Sequence, residues 1–191
     1  MKTLLRTGLL AVLLVLVRPI SATTVIPPSF NELVDQAELI FQGRVAAVKS
    51  QWVGEGSNRH IATFVTFAVD DTLKGDPGKS YTLQMLGGTV DGETMGIVDA
   101  PKFDVGDNNI VFVQNNGSQV IPLVGIMHGR FRIKQDQTGR TIVATNDGQP
   151  VTNVARLGTG VRSNENEAGL TPEQFKAAVA QRVRQSIKSI P

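Results

Sequence analysis

Cysteine is absent from the chain and histidine occurs only twice. The first absence excludes disulfides, thiol catalysis, thiolate metal sites and the lipid-bearing cysteine of an anchored exported protein. The second leaves His60 and His128 as the whole supply of imidazole, far apart in sequence and without ligand spacing such as His-x-x-x-His. Aromatic residues make up only 5%, with one Trp and one Tyr, so Trp52 stands out as the candidate anchor for a partner, a place at the rim of the core being the other reading. Long apolar runs are scarce as well. The one present, Gly8–Val17, is far shorter than the roughly 20 residues that a membrane-spanning helix needs.

That run reads as an address label. Lys2 and Arg6 precede it, Arg18-Pro19 ends it, and Ile20-Ser21-Ala22 supplies a cleavage site with a small last residue. Residues 1–22 are therefore read as a signal peptide, removed before Thr23, and the product is expected to be secreted or periplasmic. Removal also changes the electrostatics. Lys2, Arg6 and Arg18 account for three of the 19 basic side chains, which leaves 16 against 17 acidic ones. The basic pI of 9.1 then loses its meaning, and no nucleic-acid partner is expected. Residues 23–191 are long enough for one domain with its own core, and no other segment is apolar enough to cross a membrane.

What remains is patterned mainly as β-structure. Ser29-Phe30-Asn31-Glu32 is a capping box, and Phe30, Leu33, Val34 and Ala37 share one face of a short helix over roughly residues 30–37. Alternation predicts a strand over 39–52, with Gly43 marking a bulge or bend, then strands over 61–69 and 81–85 around the turn Gly75-Asp76-Pro77-Gly78. Phe103 is the one large apolar anchor of the loop 101–107. Ile110–Val113 is a short strand, and Val120–Val124 is expected to pair with it across Asn115-Asn116-Gly117. Strands follow around 130–134 and 141–144. Residues 146–170 lack a sustained period and read as a flexible linker. Thr171-Pro172-Glu173 opens a C-terminal helix whose apolar stripe is Phe175, Val179, Val183 and Ile187, narrow enough for docking on the outside of the β body. The expected architecture is a single antiparallel β-barrel of the five-stranded OB-like type spanning 23–145, with a docked helix at 171–191.

The chemistry-bearing side chains assemble into no reaction. No Gly-x-Ser-x-Gly presents a serine. Asp70 and Asp71 are adjacent on a strand and point to opposite faces. His60 and His128 with either of these carboxylates read as ordinary strand and turn residues rather than zinc ligands, and no metal site or cofactor is expected. Asp91, Glu93, Asp99, Asp104 and Asp107 gather in one loop-rich region, but no Asp-x-Asp-x-Asp-Gly run accompanies them, and solvated turn carboxylates are the reading. Gly87-Gly88 and Gly92 precede no convincing helix and read as turn glycines. Arg130, Arg132 and Lys134 place three cations on one strand face, read as solvated.

The run Ala37-Glu38-Leu39-Ile40-Phe41-Gln42-Gly43-Arg44-Val45 is followed by Thr63–Phe67, Leu73-Lys74-Gly75-Asp76, Leu86-Gly87-Gly88, Phe103-Asp104-Val105-Gly106-Asp107 and Ile110–Val113. Together these resemble a set of small exported bacterial proteins without an established activity, over roughly residues 29–133. The same order of elements is similar to the netrin-like domain, the β-barrel of tissue inhibitors of metalloproteinases. That resemblance implies a non-enzymatic binding module whose partner is an extracellular or envelope protein such as a protease. Inhibitors of that kind chelate the protease zinc through an N-terminal cysteine. Here Thr23 and Thr24 stand at the expected mature start instead, so the candidate partner-binding residues are Thr23, Thr24 and Trp52. A barrel that binds carbohydrate or a surface polymer is the alternative, and a hydrolase of unknown mechanism comes third.

Mass spectrometry of the exported protein is expected to give an intact mass beginning at Thr23. A mass that still includes Met1 would contradict the leader assignment.

Overall fold

The computed structural model describes residues 27–97, 100–161 and 167–188; the expected signal peptide, Thr23 and Thr24 lie outside them. Its elements in chain order are helix α1 (Phe30–Gln36), strands β1 (Leu39–Val53), β2 (His60–Lys74), β3 (Ser80–Leu86), β4 (Gly88–Val90), β5 (Glu93–Met95), β6 (Asn108–Val113), β7 (Arg130–Gln135) and β8 (Thr141–Thr145), and helix α2 (Pro172–Lys188). Six strands form one antiparallel sheet in the order β3-β2-β1-β6-β7-β8, and β4 and β5 form a separate hairpin. The described residues form a mainly β fold with two α-helices. The strand order has two ends, β3 and β8, and among the described residues no closed ring of strands is found.

Local sequence accounts for the elements. Ser29 caps α1 reciprocally: its Oγ accepts from Glu32 N–H at 3.3 Å, and the Glu32 carboxylate accepts from Ser29 N–H at 2.7 Å. Thr171 and Gln174 repeat the device on α2, with Thr171 Oγ1 accepting from Gln174 N–H and Gln174 Oε1 from Thr171 N–H. Gly43 sits at one of three register shifts that bend β1 against β2; a Cβ there would lie 2.7 Å from the Ala68 carbonyl oxygen.

The alternation of β1 and β6 feeds two cores on opposite faces of the sheet. Ile40, Ile110, Phe112, Phe131 and Val143 face the two helices, meeting Phe30, Leu33, Val34, Phe175 and Val179. Phe175 packs against Phe30, Phe112 and Phe131, with ring centroids 6.0, 6.3 and 4.8 Å away. Phe41, Val45, Val65, Phe67, Leu83, Val111 and Val113 fill the other side, which Phe103 and the segment through Ile121 and Leu123 cover. Phe103 stands edge-on to Phe67 at 5.5 Å, the anchoring expected of it.

Polar ties fix the helices. Arg182 grips Asp35 through Nε and Nη2, Ser186 Oγ donates to the same carboxylate, and Lys176 reaches Asp71 at 2.9 Å. The Lys74 ammonium donates to the Val34 and Asp35 carbonyls at 2.8 and 3.1 Å, satisfying acceptors at the end of α1 that the helix leaves open.

Three departures from the sequence reading have physical causes. Val120–Val124 does meet the end of β6 across the turn, through the Val113–Leu123 bridge and the bonds from Gln114 N–H to the Pro122 carbonyl and from Val124 N–H to the Phe112 carbonyl, but it forms no strand, because Pro122 has no N–H with which to extend a ladder. β4 and β5 turn about Asp91-Gly92 where the alternation breaks. Residues 146–161 and 167–170, expected to be loose, are tied down: Val151 is buried, Val151 N–H donates to Val143, Leu170 N–H donates to Val151, and Asn153 caps a 3-10 turn at Val154–Arg156.

Phe175→Ala is expected to cost about 3–5 kcal/mol in chemical denaturation. Ile187→Ala, at a position 65% exposed on the same stripe, is expected to change stability by less than about 0.5 kcal/mol. Equal losses would contradict the docking described.

Candidate functional site

His60 opens β2 at the far end of the β1–β2 hairpin, its Nδ1 2.8 Å from the Asn58 carbonyl oxygen. His128 lies in the turn before β7, so the two histidines are not brought together. Among the described residues, no group of three or more His, Asp or Glu side chains is placed to hold a metal ion. Asp91 and Glu93 belong to the β4–β5 hairpin, Asp104 and Asp107 belong to the loop before β6, and Asp99 lies outside the described residues. Asp71 is paired to Lys176. Trp52 is half-buried near the end of β1, one face of its indole covered by the Arg59 guanidinium at 4.1 Å.

The solvated reading of the β7 cations is corrected at Arg130, which is 3% exposed. The register Val111↔Arg130 points its side chain into the Phe41–Val111 core. There Nε donates to Asn109 Oδ1 at 2.9 Å, Nη2 to Asp107 Oδ2 at 2.8 Å, and Nη1 to Asn146 Oδ1 at 3.3 Å and to the Lys102 carbonyl. The guanidinium lies over the Phe103 ring, 4.1 Å from its centre. Burial pushes its pKa down to about 10, opposed by the Asp107 charge, so the group stays protonated at neutral pH. Asp107 also accepts from Asp104 N–H at 3.1 Å, and Val45 clamps the loop through Gly106 N–H and the Asp107 carbonyl. One carboxylate of the expected acidic group is thus committed to a buried cation.

Asn146 carries this anchoring to the rim of a cleft of about 340 Å³ between α1, the turn before β7, the end of β8 and the 149–161 segment. Leu33, Phe131 and Val151 form its floor, Pro28 and Leu157 its walls, while His128, Asp147, Gln149 and Arg156 stand at its edge. Pro28 is held from both sides by glycine: a Cβ on Gly125 would lie 2.9 Å from the Pro28 ring, and one on Gly158 would lie 2.7 Å from the Pro28 carbonyl oxygen. The turn presenting His128 contains Ile126 at φ +63°, a β-branched residue in the left-handed region. Such a conformation costs on the order of 1–3 kcal/mol and persists only where neighbouring structure imposes it. Burial lowers the His128 pKa, with the Asp147 charge acting the other way, and Arg156 is paired with Glu167 at 2.5 Å. The cleft offers an apolar floor with a few polar groups above it, the usual make-up of a binding site.

The cleft escapes a reading of the sequence because its residues come from three separated stretches, 27–33, 127–131 and 145–161. The Pro27-Pro28 pair and the Gly125 and Gly158 turns were the signals available for it.

Arg130→Met is expected to lower stability by about 3–5 kcal/mol, because it leaves Asp107, Asn109, Asn146 and the Lys102 carbonyl without their donor. A change below about 1 kcal/mol in urea denaturation would show that the guanidinium is not holding the loop.

No family model matches the chain, and no curated protein matches it.

Proposed function

We propose that the chain is an exported, non-enzymatic binding module that receives an extracellular or envelope protein in the cleft beneath His128. The observation that carries the reading is the cleft itself, where buried residues of α1, β7 and the 149–161 segment form an apolar floor beneath convergent polar groups. Its size suits one or two side chains of a partner. Phe131 is the aromatic ring among its lining residues and is only 1% exposed, so the cleft offers no stacking platform to a sugar. This favours a protein partner over the carbohydrate alternative. Strain retained at Ile126 supports a role for the turn beyond packing.

The netrin-like resemblance belongs to the same proposal, with the sheet read as a barrel closed by a segment rather than by a strand. Supporting it, residues 114–124 bond to both sides of the gap. Gln114 N–H donates to the Pro122 carbonyl and Val124 N–H to Phe112 on the β6 side. Leu86 N–H donates to Val120 and Gln84 N–H to Asn116 Oδ1 on the β3 side. On this reading an extracellular protease is the first partner to try, with Thr23 and Thr24 at the contact.

The exported chain is expected to capture a partner from the extracellular fraction, and Gln149→Trp, which fills the cleft mouth, is expected to reduce that capture at least about tenfold with unchanged thermal stability. Capture that is indifferent to Gln149→Trp would overturn the cleft as the site. Hydrolytic turnover by the purified chain, abolished by one polar substitution, would overturn the non-enzymatic reading.

A further inference from the structure

The sheet seals both of its terminal edges. On β3, the Asn116 side chain substitutes for a neighbouring strand, its Oδ1 accepting from Gln84 N–H at 3.0 Å and its Nδ2 donating to the Thr82 carbonyl at 2.8 Å. On β8, Val143 N–H donates to Leu170, the Val143 carbonyl accepts from Val151, and Thr145 N–H donates to Gln149. An open edge invites other strands to pair, and here it is covered at both ends.

The far half of β1 is treated differently. β6 follows β1 only to Arg44, and Val45 is the last residue closed on that side, by Asp107 and Gly106. β1 then runs on to Val53 with β2 on its other flank. The register shows which groups are left. Gly87 N–H donates to Ile61, and Val69 N–H donates to Lys79, so the odd-numbered residues of this stretch of β2 turn their backbone toward β3. The even-numbered ones face β1, where Phe64, Ala62 and His60 oppose Lys49, Gln51 and Val53. The N–H and C=O groups of Val48, Ser50 and Trp52 therefore point away from β2, and among the described residues nothing bonds to them.

The side chains on this edge alternate in chemistry. Val48, Ser50 and Trp52 share one face, and Val48 is 38% exposed. Lys49 projects from the other face, exposed, and Arg44 stands at the base; among the described residues Lys49 has no ion pair and Arg44 donates only to the Gly106 carbonyl. Pairing with a second copy about a two-fold axis would bring like Lys49 charges close together, which disfavours self-association. We propose that the β1 edge at Val48, Ser50 and Trp52 takes up an extended segment of a partner protein as an added strand, one in which acidic residues facing Lys49 alternate with apolar residues facing Val48 and Trp52. Backbone hydrogen bonds would supply affinity and the alternation would supply selectivity. This edge shares no residue with the cleft, so the two sites stand or fall separately.

The probe is an end-blocked peptide of about eight alternating Val and Glu residues, titrated into the ¹⁵N-labelled exported chain. Amide exchange at Val48, Ser50 and Trp52 is expected to slow at least about tenfold, while Lys49 and Gln51, already bonded to β2, do not change. Val48→Pro removes an outward N–H and no ladder bond, and is expected to weaken the peptide about tenfold. Should proline disturb the strand, Lys49→Glu provides the second test: it lowers affinity for the Val/Glu peptide by up to about fivefold and raises affinity for a Val/Lys peptide. Unchanged exchange at millimolar peptide, or equal affinity for a peptide N-methylated on alternate residues, would overturn the proposal. So would the same slowing without peptide as chain concentration rises, which would assign the edge to self-pairing.

Discussion

A single buried cation organises the open side of this sheet. Arg130 leaves water to sit between Phe103 and the β6–β7 register, and it meets one acceptor from β6, two groups from the loop before β6, and one from the end of β8. Desolvating a guanidinium costs several kcal/mol, and apolar side chains of like volume in place of both Arg130 and its polar partners would serve bulk stability as well or better. What the cation supplies is exclusivity: only a loop that brings Asp107, Phe103 and the Lys102 carbonyl together can cover it. The Asp107 side of that loop also clamps Val45, the point where β1 loses β6 as a neighbour. Asn146, on the other side, stands at the rim of the cleft. Both candidate binding surfaces thus border the structure that this residue holds.

Much of the frame was legible because it is written in short-range patterns. The Ser29–Glu32 box, the Thr171-Pro172 start, the alternations of β1 to β3 and the Gly43 bend each need only a few neighbouring residues to be read. Arg130 was illegible for the opposite reason. In Arg130-Phe131-Arg132-Ile133-Lys134 the alternation is that of a half-exposed strand, and nothing local distinguishes the first cation from the two that remain nearer solvent. Its fate is decided by Phe103 and Asp107, which arrive from a loop on the other side of β6.

The remaining differences follow the same rule. Val120–Val124 has the composition of a strand, but its groups are divided between Leu86 on one side and Val113 on the other, so it spans a gap instead of extending a ladder. Residues 146–161 and 167–170 have no period because β8 supplies order that their own sequence lacks: Val151 and Leu170 are held by their backbone against Val143. The cleft was hidden because it is a junction of such aperiodic pieces, and the free edge of β1 because it depends on where β6 stops.

Coupling between Arg130 and the loop that covers it holds this side of the sheet together, and a double-mutant cycle between Arg130→Met and Asp107→Asn measures that coupling directly. The structure predicts an interaction energy of about 1–3 kcal/mol in equilibrium denaturation. Additive losses, with no interaction beyond experimental error, would contradict the claim that this ion pair holds the loop to the sheet.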